Sequence, residues 1–278
     1  MKTKITKFIT EWLLPPKVKG LITRYVLKNQ SWFFKGDYSS WEEVVAISTG
    51  YSEENILTKV FDTTKKVVDG DVAFERDGVA FEIADYSWPL LSNLLWVASL
   101  KDGNLRVLDF GGALGSTFNQ NKKFFQGLNV HWHIVEQGNY VSVGNEHFKN
   151  DKLDFYLDIF QCVRSNNIDI ALFSGVLEFV PDPYEKLLNV INSSIDYVII
   201  DRSAFLKESY DNHNDRFTVQ HVSNEIFPAT LPYRILSMKK IQKFLDDHGY
   251  EILHEFYSIG GEGGSWEFKG LVAGFKKD

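Results

Sequence analysis

Cysteine is nearly absent from this chain: Cys162 is the only one in 278 residues. That excludes an intramolecular disulfide and any multi-cysteine metal cluster, and it fits a reducing compartment, so the cytoplasm is the expected location. Long apolar runs are missing too. The N-terminus is basic, but its longest apolar stretch, Trp12 to Leu14, stops at Pro15 and Pro16. That is far short of a signal-peptide core or a membrane span, and no export or transmembrane segment is expected. Neither a low-complexity tract nor an internal repeat is visible. A serine-hydrolase elbow and a Gly-Lys-Ser/Thr phosphate loop are also lacking.

What remains is an ordinary globular composition, 44% hydrophobic and 24% charged, which favours neither a disordered chain nor a membrane bundle. The 22 Phe, 12 Tyr and 7 Trp point to aromatic core packing. Charge is uneven. Residues 1 to 35 hold eight Lys or Arg against Glu11 alone and carry +7, leaving −14 on the rest. An acidic body repels phosphate backbones and argues against nucleic-acid binding. The basic arm, interleaved with Ile5, Phe8, Ile9, Trp12 and Leu13, reads as a solvated helix packing its apolar side on the domain; peripheral contact with an anionic membrane or a partner is the alternative.

Along the chain, Ser40 with Glu43 forms a capping box before WEEVVAIS, and Ser52 precedes the amphipathic EENILTKVFDTTKKVV. Trp88-Pro89 opens the apolar helix PLLSNLLWVASL. From Leu105 onward strands and helices alternate. Strand candidates span 105–110, 130–136, 153–157, 168–174, 196–201, 250–256 and 271–276. Several are near-continuous apolar runs, as in a sheet covered on both faces. Asp182 caps a helix through KLLNVINS, and SMKKIQKFLDDHGY reads as another, stopped at Gly249. The expected fold is therefore α/β: a doubly wound, Rossmann-like sheet with helices on both faces and a ligand crevice at the strand carboxyl ends. It occupies residues 99–278, with an N-terminal helical extension over 1–98. Residues 204–237 fit no strict period and read as an insertion. The late glycines of IGGEGGSWEF join two strands and read as a hairpin connection.

The stretch VLDFGGALG, Val107 to Gly115, places three glycines within five residues after an apolar strand that ends in an acid. The dinucleotide fingerprint Gly-x-Gly-x-x-Gly fails in either frame, because Ala113 and Ser116, or Phe110, fall where glycine is required. Asp109 would repel a diphosphate held at this turn and would favour a cationic ligand. S-Adenosylmethionine carries a sulfonium and an ammonium and no phosphate. Glu136 closes the next strand 21 residues after Gly115, where a carboxylate accepts hydrogen bonds from ribose hydroxyls. That feature fits both NAD and S-adenosylmethionine.

VLDFGGALG, HWHIVEQ and DIALFSGVLEFVPDP together resemble the class I S-adenosylmethionine-dependent methyltransferases over roughly residues 100 to 278. With FFKGDYSSWEEV, FERDGVAFE, VIIDRSAF and DRFTVQHV, the whole chain resembles a bacterial methyltransferase family associated with surface-polysaccharide gene clusters. The resemblance implies that Asp109, Phe110, Gly111, Gly112 and Gly115 face the methionine moiety. It implies further that Glu136 and Gln137 hold the ribose, that Asp158 sits by the adenine, and that Ser174, Gly175, Val176 and Leu177 line the crevice. Two positions depart from the pattern. Ala113 stands where the loop commonly has Gly, with Gly112 as the expected compensation, and Phe179 stands where many relatives carry His.

Methyl transfer needs orientation and exclusion of water, and a hydroxyl acceptor gains from a base. The candidate base or orienter is His221, Asp215 or Asp201, with Arg202, Arg216 and His213 contacting an anionic or hydroxyl-rich acceptor. His131 and His133 share a strand face but read as packing, DNHND (211–215) reads as a turn, and Cys162 as a buried thiol; no metal is expected. The leading expectation is S-adenosylmethionine-dependent O-methylation of a glycan or glycan precursor, the expected partner being a small-molecule or glycan acceptor. A second reading is a nucleoside-binding assembly or regulatory subunit without transfer chemistry. A third, which Asp109 and the broken fingerprint disfavour, is a nicotinamide-dependent nucleotide-sugar enzyme.

Overall fold

The computed structural model describes residues 34–50, 53–222 and 229–276. The basic arm ahead of residue 34, the Ser52 cap and the middle of the 204–237 insertion lie outside the described residues. Strand β1 (Phe34–Tyr38) leads into helices α1 (Trp41–Ile47) and α2 (Glu53–Asp69), then the small hairpin β2 (Phe74–Arg76) and β3 (Val79–Phe81), then α3 (Trp88–Leu100). The alternating series follows as β4 (Asn104–Phe110), α4 (Ser116–Asn121), β5 (Asn129–Val135), α5 (Gly138–His147), β6 (Leu153–Tyr156), α6 (Ile159–Ser165), β7 (Ile170–Ser174), α7 (Pro183–Ile191) and β8 (Tyr197–Leu206). The chain closes with β9 (Arg216–His221), β10 (Thr230–Ile235), α8 (Met238–Asp247), β11 (Tyr250–Glu262) and β12 (Trp266–Phe275).

Seven strands form one sheet in the order β11-β12-β8-β7-β4-β5-β6. The β8-β7-β4-β5-β6 pairings are parallel, and β12 runs antiparallel to both β8 and β11. The fold is the expected doubly wound α/β sheet. Alternation along each strand feeds two cores. Leu105 and Val107 of β4, with Val130, Trp132 and Ile134 of β5, pack under α3. Leu108, Ala171 and Phe173 face the other side, against Leu187 and Val190 of α7 and Ile241 and Leu245 of α8. Both faces are covered, which is why the strands read as continuous apolar runs. At the amino ends of the strands, Arg106 of β4 makes a two-pronged pair to buried Asp169, both contacts at 2.6 Å.

Helix starts follow their signals. The Ser40, Asp182 and Ser237 side chains accept from the amides of Glu43, Glu185 and Lys240, each satisfying an orphan donor. The capping box at α1 is incomplete in one respect: the Glu43 carboxylate accepts from Ser39 rather than from Ser40.

The described parts of the 204–237 segment form regular strands despite its lack of period. β9 and β10 pair antiparallel, and β1 adds on the other side of β9. This small sheet packs Phe34, Tyr233 and Ile235 against Ala204 and Leu206 of β8 and Trp266 and Phe268 of β12. Phe205 bridges Leu236, tying it to the carboxyl end of β8. The division drawn between residues 98 and 99 falls inside α3.

Where β7 ends, β8 carries a bulge. Ser203 pairs with Lys269 and Ile200 with Leu271, so Asp201 and Arg202 both stand opposite Gly270. Arg202 adopts φ +51°. A side chain at Gly270 would strike the Phe256 ring and lie 2.5 Å from the Ile200 carbonyl oxygen. Gly270→Ala should therefore cost roughly 1–3 kcal/mol. Gly264→Ala, whose added methyl meets nothing within 4 Å, should stay within about 0.5 kcal/mol. Denaturation midpoints separate the two, and equal midpoints would contradict the close approach at the bulge.

Candidate functional site

Strand order reverses at β4, with β5 on one side and β7 on the other, so the crevice at their carboxyl ends is the expected ligand position in an open α/β sheet. β4 delivers Asp109 and Phe110 there, and the chain then turns sharply into α4. Gly111, Ala113 and Gly115 have φ of +72°, +51° and +95°. The turn is held by the Gly111 amide donating to the Val135 carbonyl at 2.9 Å and the Gly115 amide donating to the Gly112 carbonyl at 3.0 Å. Ala113 adopts the left-handed conformation itself, at a cost of about 1–2 kcal/mol relative to glycine, rather than shifting that demand onto Gly112.

Asp109 is 1% exposed. Its Oδ2 accepts from Trp132 Nε1 at 3.0 Å. A Cβ at Gly112 would sit 2.6 Å from the carboxyl carbon of Asp109, so only glycine lets the turn close over the acid. Burial pushes the Asp109 carboxyl up to about 7, against the pull of the Trp132 hydrogen bond, and the charge of Glu136 adds to the rise. The stretch Val107 to Ser116 contains no Lys or Arg.

Glu136 stands at the end of β5. Burial raises its carboxyl, while the Gln137 and Ala113 amides favour the charged form; the Gln137 amide donates to Oε2 at 2.8 Å. Gln137 is exposed at the start of α5. Asp158 is also exposed and caps α6, accepting from the Gln161 amide at 2.8 Å. From β7, Ser174 Oγ donates to Asp201 at 3.3 Å, and Val176 packs where a Gly111 side chain would be. Two residues of the expected set turn away. Leu177 is fully buried in the α7-side core, and Phe110 packs against that core with its ring 5.5 Å from Phe173. Phe110 faces away from the turn because even and odd positions of β4 serve opposite faces, and Leu177, in the loop after β7, turns into the core as an apolar side chain does.

The base candidates are scattered. Asp201, 1% exposed, accepts from Ser258 Oγ at 2.7 Å, Ser174 Oγ at 3.3 Å and Ser87 Oγ at 3.4 Å. Burial raises its carboxyl and the hydrogen bond from Ser258 opposes that. It belongs to the crevice. Asp215 instead accepts from Tyr184 Oη at 3.0 Å, the Ser237 amide at 2.9 Å and Lys240 Nζ at 3.0 Å, which makes it part of the α8 cap. His221 lies opposite Thr230 at the far end of β9. At about 3.3 Å per residue the strand holds it on the order of 17 Å from the Asp215 end, so the two form no dyad. Arg216 donates to Ser265 Oγ at 2.8 Å, on the β11–β12 hairpin. His213 is exposed in an Asx turn, its amide donating to Asp211 at 3.0 Å.

His133 Nδ1 lies 2.6 Å from Asp154 Oδ1, with the His131 ring stacked 6.4 Å away. Among the described residues no group of three or more His, Cys, Asp or Glu could hold a metal ion. Burial drives the Cys162 thiol well above its ordinary value. Phe179 meets Tyr233 edge-on at 5.1 Å.

Two crevice acids were not anticipated. Glu75 of β2, 2% exposed, accepts from Ser116 Oγ and from the Gly78 amide at 3.3 Å, fastening the β2–β3 hairpin to the first residue of α4. Glu178, 1% exposed, accepts from the Ala204 amide at 2.9 Å and Ser203 Oγ at 3.4 Å. Burial pushes each to about 7. An acid four residues past the end of β7, after Gly175, Val176 and Leu177, was the available signal for Glu178. Glu75 sits on a three-residue strand that shows no period.

No protein-family model matches the chain, and no curated protein matches it. Solved structures do. The N-terminal domain of EvdMO1, determined in the presence of SAH and D-fucose, is 16% identical with a TM-score of 0.44, covering 82% of this chain and 98% of that one. A 1,6-didemethyltoxoflavin-N1-methyltransferase from Burkholderia thailandensis is 12% identical with a TM-score of 0.44, covering 87% and 93%. Magnesium protoporphyrin IX methyltransferase from Synechocystis PCC 6803 is 11% identical with a TM-score of 0.43, covering 99% and 97%.

Asp109, Glu75 and Glu178 titrate near 4 when unfolded and at about 7 in the fold. An acid raised on folding contributes stability that is complete below about pH 4 and is lost as pH climbs through about 7. The melting temperature of the ligand-free protein should therefore fall between about pH 5 and about pH 8, less steeply in Asp109→Asn. A flat or rising profile would show that these acids are not held in the neutral form.

Proposed function

We propose that this chain is an S-adenosylmethionine-dependent methyltransferase that O-methylates a glycan or glycan precursor. The observation that carries the reading is the Asp109 carboxylate, enclosed by Trp132 and Gly112 at the strand switch point. The residues fit the cofactor. Three acids, Asp109, Glu136 and Glu75, surround a turn without a basic side chain, so a cationic amino-acid moiety is favoured there and a diphosphate is disfavoured.

Asp109 with the Gly111, Gly112 and Gly115 turn would hold the methionine portion, and Glu136 with Gln137 the ribose diol. Asp158 would meet the adenine, and Ser174, Gly175 and Val176 would form the wall. S-Adenosylmethionine supplies a methyl group activated on its sulfonium. Asp201 is the proposed base for an acceptor hydroxyl: it lies beside Ser174 in the crevice, and burial raises its proton affinity above that of an ordinary carboxylate. His221 and Asp215 stand outside this arrangement, for the geometric reasons above. The resemblance of the whole chain to a family associated with surface-polysaccharide gene clusters supports a glycan acceptor.

Calorimetry with S-adenosylhomocysteine tests the site. Removing a charge-assisted partner should weaken binding about 10–100-fold in Asp109→Asn or Glu136→Gln, while Asp201→Asn should lower kcat and leave that affinity unchanged. Equal binding by all variants would sink the proposal. The acceptor claim is tested by incubating labelled cofactor with glycan extracts, where no label in sugar would remove the glycan assignment.

A further inference from the structure

We propose that Arg202 and Arg76 together form an oxyanion-binding subsite for the acceptor, so that the molecule methylated here carries a carboxylate or a phosphate group. The inference rests on the methyltransferase reading for the word acceptor, but the subsite itself stands on separate geometry.

The bulge on β8 re-aims Arg202. Its φ of +51° and the donation of its amide to Ser258 Oγ at 3.0 Å fix the backbone, and strained, bulged residues of this kind cluster where a side chain must be presented. The guanidinium then lies across the crevice wall: Nη2 is 2.7 Å from where a Cβ would stand on Gly175. Arg76 arrives from the other side, on the hairpin that Glu75 fastens to Ser116. Its guanidinium lies 4.9 Å from the Phe74 ring centre, and its neighbour Asp77 reaches to 3.9 Å from Arg202. The hairpin thus brings Arg76 within reach of the charge of Arg202, where Asp77 faces the ends of β7 and β8.

Three other arginines have firm side-chain partners: Arg106 pairs with Asp169, Arg216 donates through Nη1 to Ser265, and Arg234 donates to the Pro181 carbonyl at 2.7 Å, the Nε of Arg216 and of Arg234 being left without a hydrogen bond. Among the described residues, neither Arg76 nor Arg202 makes a hydrogen bond to a carboxylate. Asp77 stands at 3.9 Å from Arg202 and is 78% exposed. Asp201 contributes its field but is already taken by three serine hydroxyls. Burial, and then the charge of Arg202, pull the Arg76 guanidinium below its ordinary value against the opposing charges of Asp77, Asp85 and Asp201; two neighbouring like charges gain from a further anion. Guanidinium forks match the paired oxygens of carboxylate or phosphate. An anion bound here would lie beside Asp201 and the crevice wall, with the acceptor's hydroxyl face toward the base.

The test uses the full chain saturated with S-adenosylhomocysteine and titrates glucose, glucuronate and glucose 6-phosphate by calorimetry. At least one charged sugar should bind about tenfold or more tightly than glucose, and which one distinguishes carboxylate from phosphate. Arg202→Gln and Arg76→Gln should each remove that advantage, Arg202→Lys should retain part of it, and Arg164→Gln on α6 should change nothing. Affinity for S-adenosylhomocysteine should be the same in all. Equal binding of glucose and both anions overturns the proposal, as does an anion preference that survives both glutamine variants. Loss of S-adenosylhomocysteine rather than sugar affinity would assign the arginines to the cofactor and also overturn it. If wild type fails to bind S-adenosylhomocysteine yet shows the arginine-dependent preference, the methyltransferase reading fails and the anion subsite stands.

Discussion

The Asp109 carboxylate is buried at the strand switch point by its neighbouring strand and by the turn that follows it. Trp132 donates from the neighbouring strand, Gly112 closes over it without a side chain, and Ala113 accepts an unfavourable backbone conformation so that the turn can do so. Moving its pKa from 3.8 to about 7 corresponds to an ionisation cost on the order of 4 kcal/mol. A fold that only needed a strand-to-helix turn would place an apolar residue here and avoid that cost. A cation held against the turn, as proposed, would offset it and would account for Glu136 and Glu75 being gathered around a loop with no basic residue.

The second constraint is the β8 bulge. Gly270 lets the backbones approach, and the extra residue turns Asp201 and Arg202 toward the crevice where β7 stops pairing. What lies opposite comes from the N-terminal third of the chain: Ser87 bonds to Asp201, Glu75 to Ser116, and Asp77 approaches Arg202. The described part of that segment therefore completes the wall of the crevice. β1 likewise completes the small sheet of β9 and β10.

Much of this was legible in the residues. Parallel strands covered on both faces leave continuous apolar runs, and both acids that end them, Asp109 and Glu136, stand out because an acid is costly there. The cap residues Ser40, Asp182 and Ser237 mark helix starts by a purely local bond. Other features depend on contacts between distant parts of the chain. β9 pairs along one edge with β1 from some 180 residues earlier in sequence, a partner that its own residues do not reveal. Glu75 and Arg76 occupy a three-residue strand, too short to show a period. Asp215 and His221 look like a pair in sequence because they are close along the chain, but an extended strand separates rather than joins them. Leu177 follows Ser174 into the loop yet turns into the core, which residue type alone would have indicated.

A switch-point crevice lined by buried acids should accept a cationic nucleoside and reject a phosphorylated one. Side-by-side calorimetric titration of the wild-type protein with S-adenosylmethionine and with NADP tests it most directly. The account predicts saturable binding of S-adenosylmethionine at one site per chain and none of NADP; binding of NADP without S-adenosylmethionine would contradict it.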